Sequence, residues 1–131
     1  MIEVQIDGAS SGNPGLSGAG IVIKSNGEVK EFSIPLGMMT NHESEFIALL
    51  KALEICQQHF PNNMLAIQSD SQLVVQAVEK NYVKRTEYNE ILSKIMELIS
   101  TFPLFFIKWI PSKQNKQADR LARRAIQQQK S

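Results

Sequence analysis

The sequence predicts a single α/β domain built on a five-stranded mixed sheet, three antiparallel strands and then two parallel ones, flanked by helices. The predicted order is β-β-β-α-β-α-α-β-α. Three observations carry this. Apolar residues alternate with polar ones at the N-terminus, an Asn-Gly pair joins two β-branched runs, and beyond Thr40 stretches of helical period alternate with short apolar runs. Helical crossovers return a strand in its original direction, so the later strands are expected to be parallel. The 131 residues suit one domain over 1–131, able to bury roughly two-thirds of its unfolded surface. No repeat or linker divides it.

In IEVQID the apolar Ile2, Val4 and Ile6 alternate with Glu3, Gln5 and Asp7, as a half-covered strand requires. Asp7 then stands at its carboxyl end, ahead of the glycine-rich GASSGNPG. AGIVIKSNGEVKEFSIPL reads as a hairpin turning at Asn26-Gly27, a pair suited to the positive φ of a type I′ turn. From Thr40 the period becomes 3.6, with Phe46, Leu49, Leu53, Cys56 and Phe60 on one stripe and Pro61-Asn62-Asn63 as the stop. Thr40 and Glu43 match a capping box. MLAIQSD (64–70) is a short strand, again ending in aspartate, and Ser71 to Lys80 resumes helical spacing. A further helix spans Glu87 to Ser100, PLFFIKWIP (103–111) reads as a last, buried strand, and Asn115 to Gln129 closes as a helix whose stripe is Ala118, Leu121, Ala122, Ala125 and Ile126.

Composition removes several classes of function. The 14 Lys+Arg nearly balance 13 Asp+Glu, so no global charge announces a nucleic-acid binder, and any such role must come from local placement. The lone Cys56 cannot pair within the chain; it fits a helical apolar pattern, which suggests packing and a reducing compartment. No basic region precedes an apolar block at the start, and no apolar window is long enough to span a bilayer. These features predict a cytoplasmic protein.

The acids are the informative residues. Parallel strands gather their carboxyl ends on one edge, where ligand crevices form, so Asp7 and Asp70 meet there if the two strands are neighbours. Taken singly, each is better explained as a turn or helix cap. In the first helix, at about 100° per residue, Glu45 falls on the apolar arc with Leu49, Ala52 and Cys56, whereas Glu43 lies with Lys51 and Glu54. An acid facing a core is costly without a partner, and a metal ion would suffice. Asp119 borders the apolar stripe of the last helix, yet Lys116 and Arg123 offer it a solvated ion pair instead. Four acids from four elements that could share one edge suit hard cations such as Mg²⁺, which support phosphoryl chemistry as pairs about 3.5–4 Å apart.

IDGASSGNPG with the following SGAG, then TNHESE, SDSQLV and WIPSKQNKQADRLA resemble, in order and spacing, the ribonuclease H type 1 family, over nearly the whole chain. The resemblance implies a ribonuclease H-like fold and hydrolysis of the RNA strand of RNA·DNA hybrids, leaving 5′-phosphate and 3′-hydroxyl ends. It implies two Mg²⁺ or Mn²⁺ ions that activate water and stabilise the leaving oxygen. The family's metal-binding and catalytic carboxylates map onto Asp7, Glu45, Asp70 and Asp119. By the same carry-over Gly12 and Asn13 approach the hybrid, Thr40 and Asn41 hold the DNA strand, Gln72 reaches the minor groove, and Lys113 and Asn115 add nucleic-acid contacts.

Two departures stand out. The loop Ile110-Pro111-Ser112-Lys113-Gln114-Asn115 lacks the histidine many members carry there, and only Asn81 to Thr86 fills the place of the basic handle that some insert. Fewer cations imply modest, salt-sensitive hybrid affinity, with Lys84, Arg85, Lys113 and Lys116 as the candidates. The expectation is a monomer with no obligate protein partner. The competing readings are a catalytically silent hybrid-binding module on the same fold and a different nuclease such as a resolvase or transposase core.

Overall fold

A computed structural model describes residues 1–130. Its elements are β1 (Ile2–Ser10), β2 (Gly15–Ser25), β3 (Glu28–Met39), α1 (Asn41–His59), β4 (Leu65–Ser69), α2 (Gln72–Lys80), α3 (Asn89–Ile99), β5 (Phe105–Trp109) and α4 (Lys116–Gln129), with short 3₁₀ turns at Thr86–Tyr88 and Ser112–Gln114. The strands form one sheet in the order β3-β2-β1-β4-β5. β1, β2 and β3 pair antiparallel, while β4 runs parallel to both β1 and β5. This is the predicted α/β architecture, element for element.

Local chemistry explains the joints. Asn26 and Gly27 both take positive φ, 50° and 79°, and close the β2–β3 hairpin with Ser25 opposite Glu28. The Thr40 hydroxyl accepts the Glu43 N–H at 3.2 Å and starts α1. Asn81, at φ 50°, ends α2 in the left-handed conformation.

Strand alternation splits the core in two. Ile2, Val4 and Ile6 of β1 and Ile21 and Ile23 of β2 pack under α1, together with Phe46, Leu49 and Leu53. On the opposite face Ala9 meets Ala122 and Ile126 of α4, and Val22 meets Ala118 and Leu121. α4 therefore rests on small side chains, and polar tethers add to its hold. Ser33 Oγ donates to the Leu121 carbonyl at 2.5 Å, the Gln129 amide binds both Ser17 O and Gly37 N, and Glu31 meets Gln117 and Arg120.

Three expectations need correction. α3 begins at Asn89 rather than Glu87, because Thr86–Tyr88 winds as a 3₁₀ turn. α4 begins at Lys116, not Asn115. The last strand is not buried but lies at the sheet edge, with Phe106 and Trp109 49% and 41% exposed. Among the described residues β5 pairs with β4 alone, and α4 packs on β1, β2 and β3 and so leaves β5 uncovered on that face.

Candidate active site

The β1–β4 register pairs Ile6 with Ser69, so the next residues, Asp7 and Asp70, sit side by side where the parallel pairing stops; β1 itself runs on against β2 to Ser10, which places Asp7 inside the strand and not at its carboxyl end as expected. A cleft of about 350 Å³ opens there, and its walls include Asp7, Glu45, Asp70 and Asp119. The four acids singled out from the sequence therefore come together, one each from β1, α1, the β4–α2 junction and α4.

Two glycines make this approach possible. Gly20 is the cross-strand partner of Asp7, on the face covered by α4. A Cβ on Gly20 would lie 1.9 Å from the carbonyl oxygen of Ala118, the residue before Asp119. A Cβ on Gly8, next to Asp7, would lie 2.2 Å from the carbonyl oxygen of Ser44, the residue before Glu45. Each helix comes down on a strand backbone at the residue preceding its acid. Any larger residue would lift the helix and carry its carboxylate away.

The electrostatics follow from that crowding. Asp7 is only 9% exposed. Burial, then the negative charge of Asp70, then hydrogen-bonding contact with Asp119, push its carboxyl up from 3.8 to about 9. Burial also raises Glu45, against opposing help from Ser71 and His42. The Glu45 carboxylate accepts from Asn41 Nδ2 at 2.9 Å and has His42 Nδ1 3.7 Å away. Ser71 caps α2 by accepting the Val74 N–H at 3.2 Å. Asp119 lies in the first turn of α4, where the helix dipole favours a negative charge, and both its oxygens accept from Arg123 Nε at 3.2 and 3.1 Å.

Asn115 fixes the start of α4. Its side-chain amide donates to the Ile6 carbonyl at 2.8 Å, and its backbone carbonyl accepts the Asp119 N–H at 3.1 Å. One residue thus links the peptide before Asp7 to the helical turn bearing Asp119. It is fully buried, at 0% exposure, and this corrects the expectation that it touches nucleic acid.

The other expected contacts lie on or beside the rim. Gly12 and Asn13 are exposed in the β1–β2 loop, and Asn13 Oδ1 accepts the Asn41 N–H at 3.0 Å, joining that loop to the start of α1. Thr40 caps α1, Asn41 lines the cleft, Gln72 is exposed at the first turn of α2, and Lys113 is exposed in the turn before α4. His42 is 52% exposed and faces Glu45. Sequence reasoning missed the roles of Gly8, Gly20 and Ser71. Gly20 was visible only as a glycine in a strand, a hint of close backbone approach, and Gly8 read as part of the glycine-rich loop.

The donor set is all oxygen and carries more negative charge than its burial tolerates, which is the chemistry of a hard divalent cation site. Among the described residues the side chains form no ready-made cage of three or more ligands. An open arrangement suits Mg²⁺, which keeps several waters and uses one or two carboxylates together with substrate phosphate.

The chain matches a family model described as reverse transcriptase-like over residues 5–125. It is 42% identical to the putative hydrolase EbsB of Enterococcus faecalis, over 97% of this chain and 95% of that protein. It is 31% identical to a ribonuclease H of Trichodesmium erythraeum, over 96% of this chain and 88% of that one. Among solved structures, LC11-RNase H1 in complex with an RNA/DNA hybrid superposes with a TM-score of 0.92 at 31% identity, covering 100% of both chains.

Proposed function

This chain belongs to the ribonuclease H family, and from that premise we propose that it is a metal-dependent endonuclease hydrolysing the RNA strand of RNA·DNA hybrids. The observation that carries the reading is the meeting of Asp7, Glu45, Asp70 and Asp119 in one open cleft. Its weight comes from the match to a relative whose solved structure holds an RNA/DNA hybrid, along the full length of both chains.

The four carboxylates would hold two Mg²⁺ or Mn²⁺ ions, which supply an activated water and stabilise the leaving 3′ oxygen, giving 5′-phosphate and 3′-hydroxyl ends. The chain's own residues position that chemistry. Asp7 lines the cleft where burial, and then crowding by Asp70 and Asp119, disfavours its negative charge, a cost that a bound cation would offset. Asn41 holds the Glu45 carboxylate at the cleft wall. Gly12, Asn13, Thr40, Asn41, Gln72 and Lys113 form the rim available to the two strands, with 2′-hydroxyls as the feature that distinguishes RNA. The single cysteine is buried, with its thiol pushed up to about 12 by desolvation, which suits a reducing cytoplasm. No helix among the described residues is long and apolar enough to cross a membrane.

The test is incubation of the purified protein with labelled RNA·DNA hybrid, double-stranded RNA and double-stranded DNA, each with Mg²⁺, Mn²⁺ or chelator, beside Asp70→Asn. Metal-dependent cutting of the hybrid's RNA alone, absent in the variant, is expected. Hybrid binding without cleavage under either metal would make the protein a silent binding module instead.

A further inference from the structure

We propose that Arg123 competes with a divalent cation for Asp119 and thereby sets how much metal the enzyme requires. The inference rests on the metal-dependent reading above and adds a residue that opposes metal entry. Among the described residues, Asp119 is the only one of the four site acids in an ion pair with a lysine or arginine. Arg123 Nε lies 3.2 and 3.1 Å from the two carboxylate oxygens, so both are engaged at once. Both residues line the cleft that holds Asp7, Glu45 and Asp70. A cation taking Asp119 as a ligand draws on the same two oxygens that the Arg123 Nε–H bridges, and it does so beside a positive charge that repels it.

The geometry also says that the competition is mild. The side chains of Asp119 and Arg123 are 39% and 67% exposed and stand one helical turn apart on α4. Solvated i,i+4 pairs of this kind are weak, enough to lower the affinity of a competing cation by about two- to fivefold. Arg123 is thus a positioning residue acting through Asp119, one that makes the cation ligated there more weakly bound than the other acids alone would give.

The experiment is a Mn²⁺ titration of the substrate-free protein, followed by the electron paramagnetic resonance signal of free Mn²⁺, with Arg123→Gln, Arg124→Gln and Asp70→Asn beside the parent. Arg124 is exposed on the same helix and forms no salt bridge among the described residues, so its loss changes the net charge equally without touching Asp119. Arg123→Gln is expected to bind Mn²⁺ at about two- to fivefold lower concentration, to reach half-maximal hybrid cleavage at correspondingly lower Mg²⁺, and Arg124→Gln to follow the parent. An unchanged or weakened isotherm in Arg123→Gln overturns the proposal, as does an equal shift in both arginine variants. A raised KM for hybrid with an unaltered Mn²⁺ isotherm overturns it too, by making Arg123 a substrate contact. A parent that binds no more Mn²⁺ than Asp70→Asn overturns the metal-dependent reading itself, an outcome distinct from a parent that binds normally and an Arg123→Gln that matches it.

Discussion

Replacing Asp7 by asparagine should stabilise the metal-free protein while abolishing its activity. An acid whose folded-state value stands at about 9, against 3.8 ordinarily, enters the folded state at neutral pH only by taking up a proton. Its contribution to stability is fully present below about pH 4 and declines as the pH rises towards 9. The gap between pH 7 and the ordinary value of 3.8, at about 1.4 kcal/mol per unit, comes to about 4 kcal/mol. Asparagine has nearly the same shape and needs no proton, so it removes that cost. Because Asp70 and Asp119 share the crowding and relax when one charge is gone, a gain of about 2–4 kcal/mol is the working figure, roughly a 10 °C rise in Tm for a domain of this size. Thermal unfolding of both proteins in chelator from pH 4 to pH 8.5 would measure it. The Tm difference should be near zero at pH 4 and widen with pH, and Mg²⁺ should then raise the Tm of the parent but not of the variant. A variant no more stable than the parent at pH 8, or a difference independent of pH, would refute the reasoning.

Gly20→Ala places a methyl group where only 1.9 Å separates it from the Ala118 carbonyl oxygen; a loss of about 2–3 kcal/mol in urea unfolding is expected, with cleavage falling further than stability because Asp119 is displaced. Asn115→Ala leaves the buried Ile6 carbonyl without its 2.8 Å donor, for a cost of about 1–3 kcal/mol and a rise in the Mg²⁺ needed for half-maximal cleavage. Lys113→Gln should leave the Tm unchanged and flatten the slope of log K against log salt for hybrid binding by about one unit.

The architecture was legible because its signals are local. Ile2, Val4 and Ile6 alternate, Asn26-Gly27 turns, and Ala118 to Ile126 form a stripe, each as residue spacing dictates. The inward aim of Glu45 was likewise readable from its angle on the first helix, and its side chain is 14% exposed. What depends on neighbours was not. Whether FFIKW is a central or an edge strand turns on which strands pair with it, and no periodicity encodes that pairing. Asn115 looked like a loop contact beside a nucleic-acid site, yet its amide is spent on a carbonyl 109 positions earlier in the chain. Arg123 offered Asp119 a commonplace surface pair. That this pair occupies the same cleft as three other acids is a fact of the fold alone.

The close seating of Ser44 on Gly8 and of Ala118 on Gly20 has a bearing on how such a site persists while a sequence drifts. Where backbone rests on backbone there is no rotamer to choose and no side-chain volume to match, so the spacing of the acids carries no torsional freedom from those contacts. Substitutions among Leu49, Leu53, Ile21 or Ile67 can exchange one apolar shape for another and alter the stability of the molecule. They leave these two stops where they are. The catalytic dimension is thereby separated in part from the packing dimension, and some of the former hangs on positions where the only acceptable side chain is a hydrogen atom.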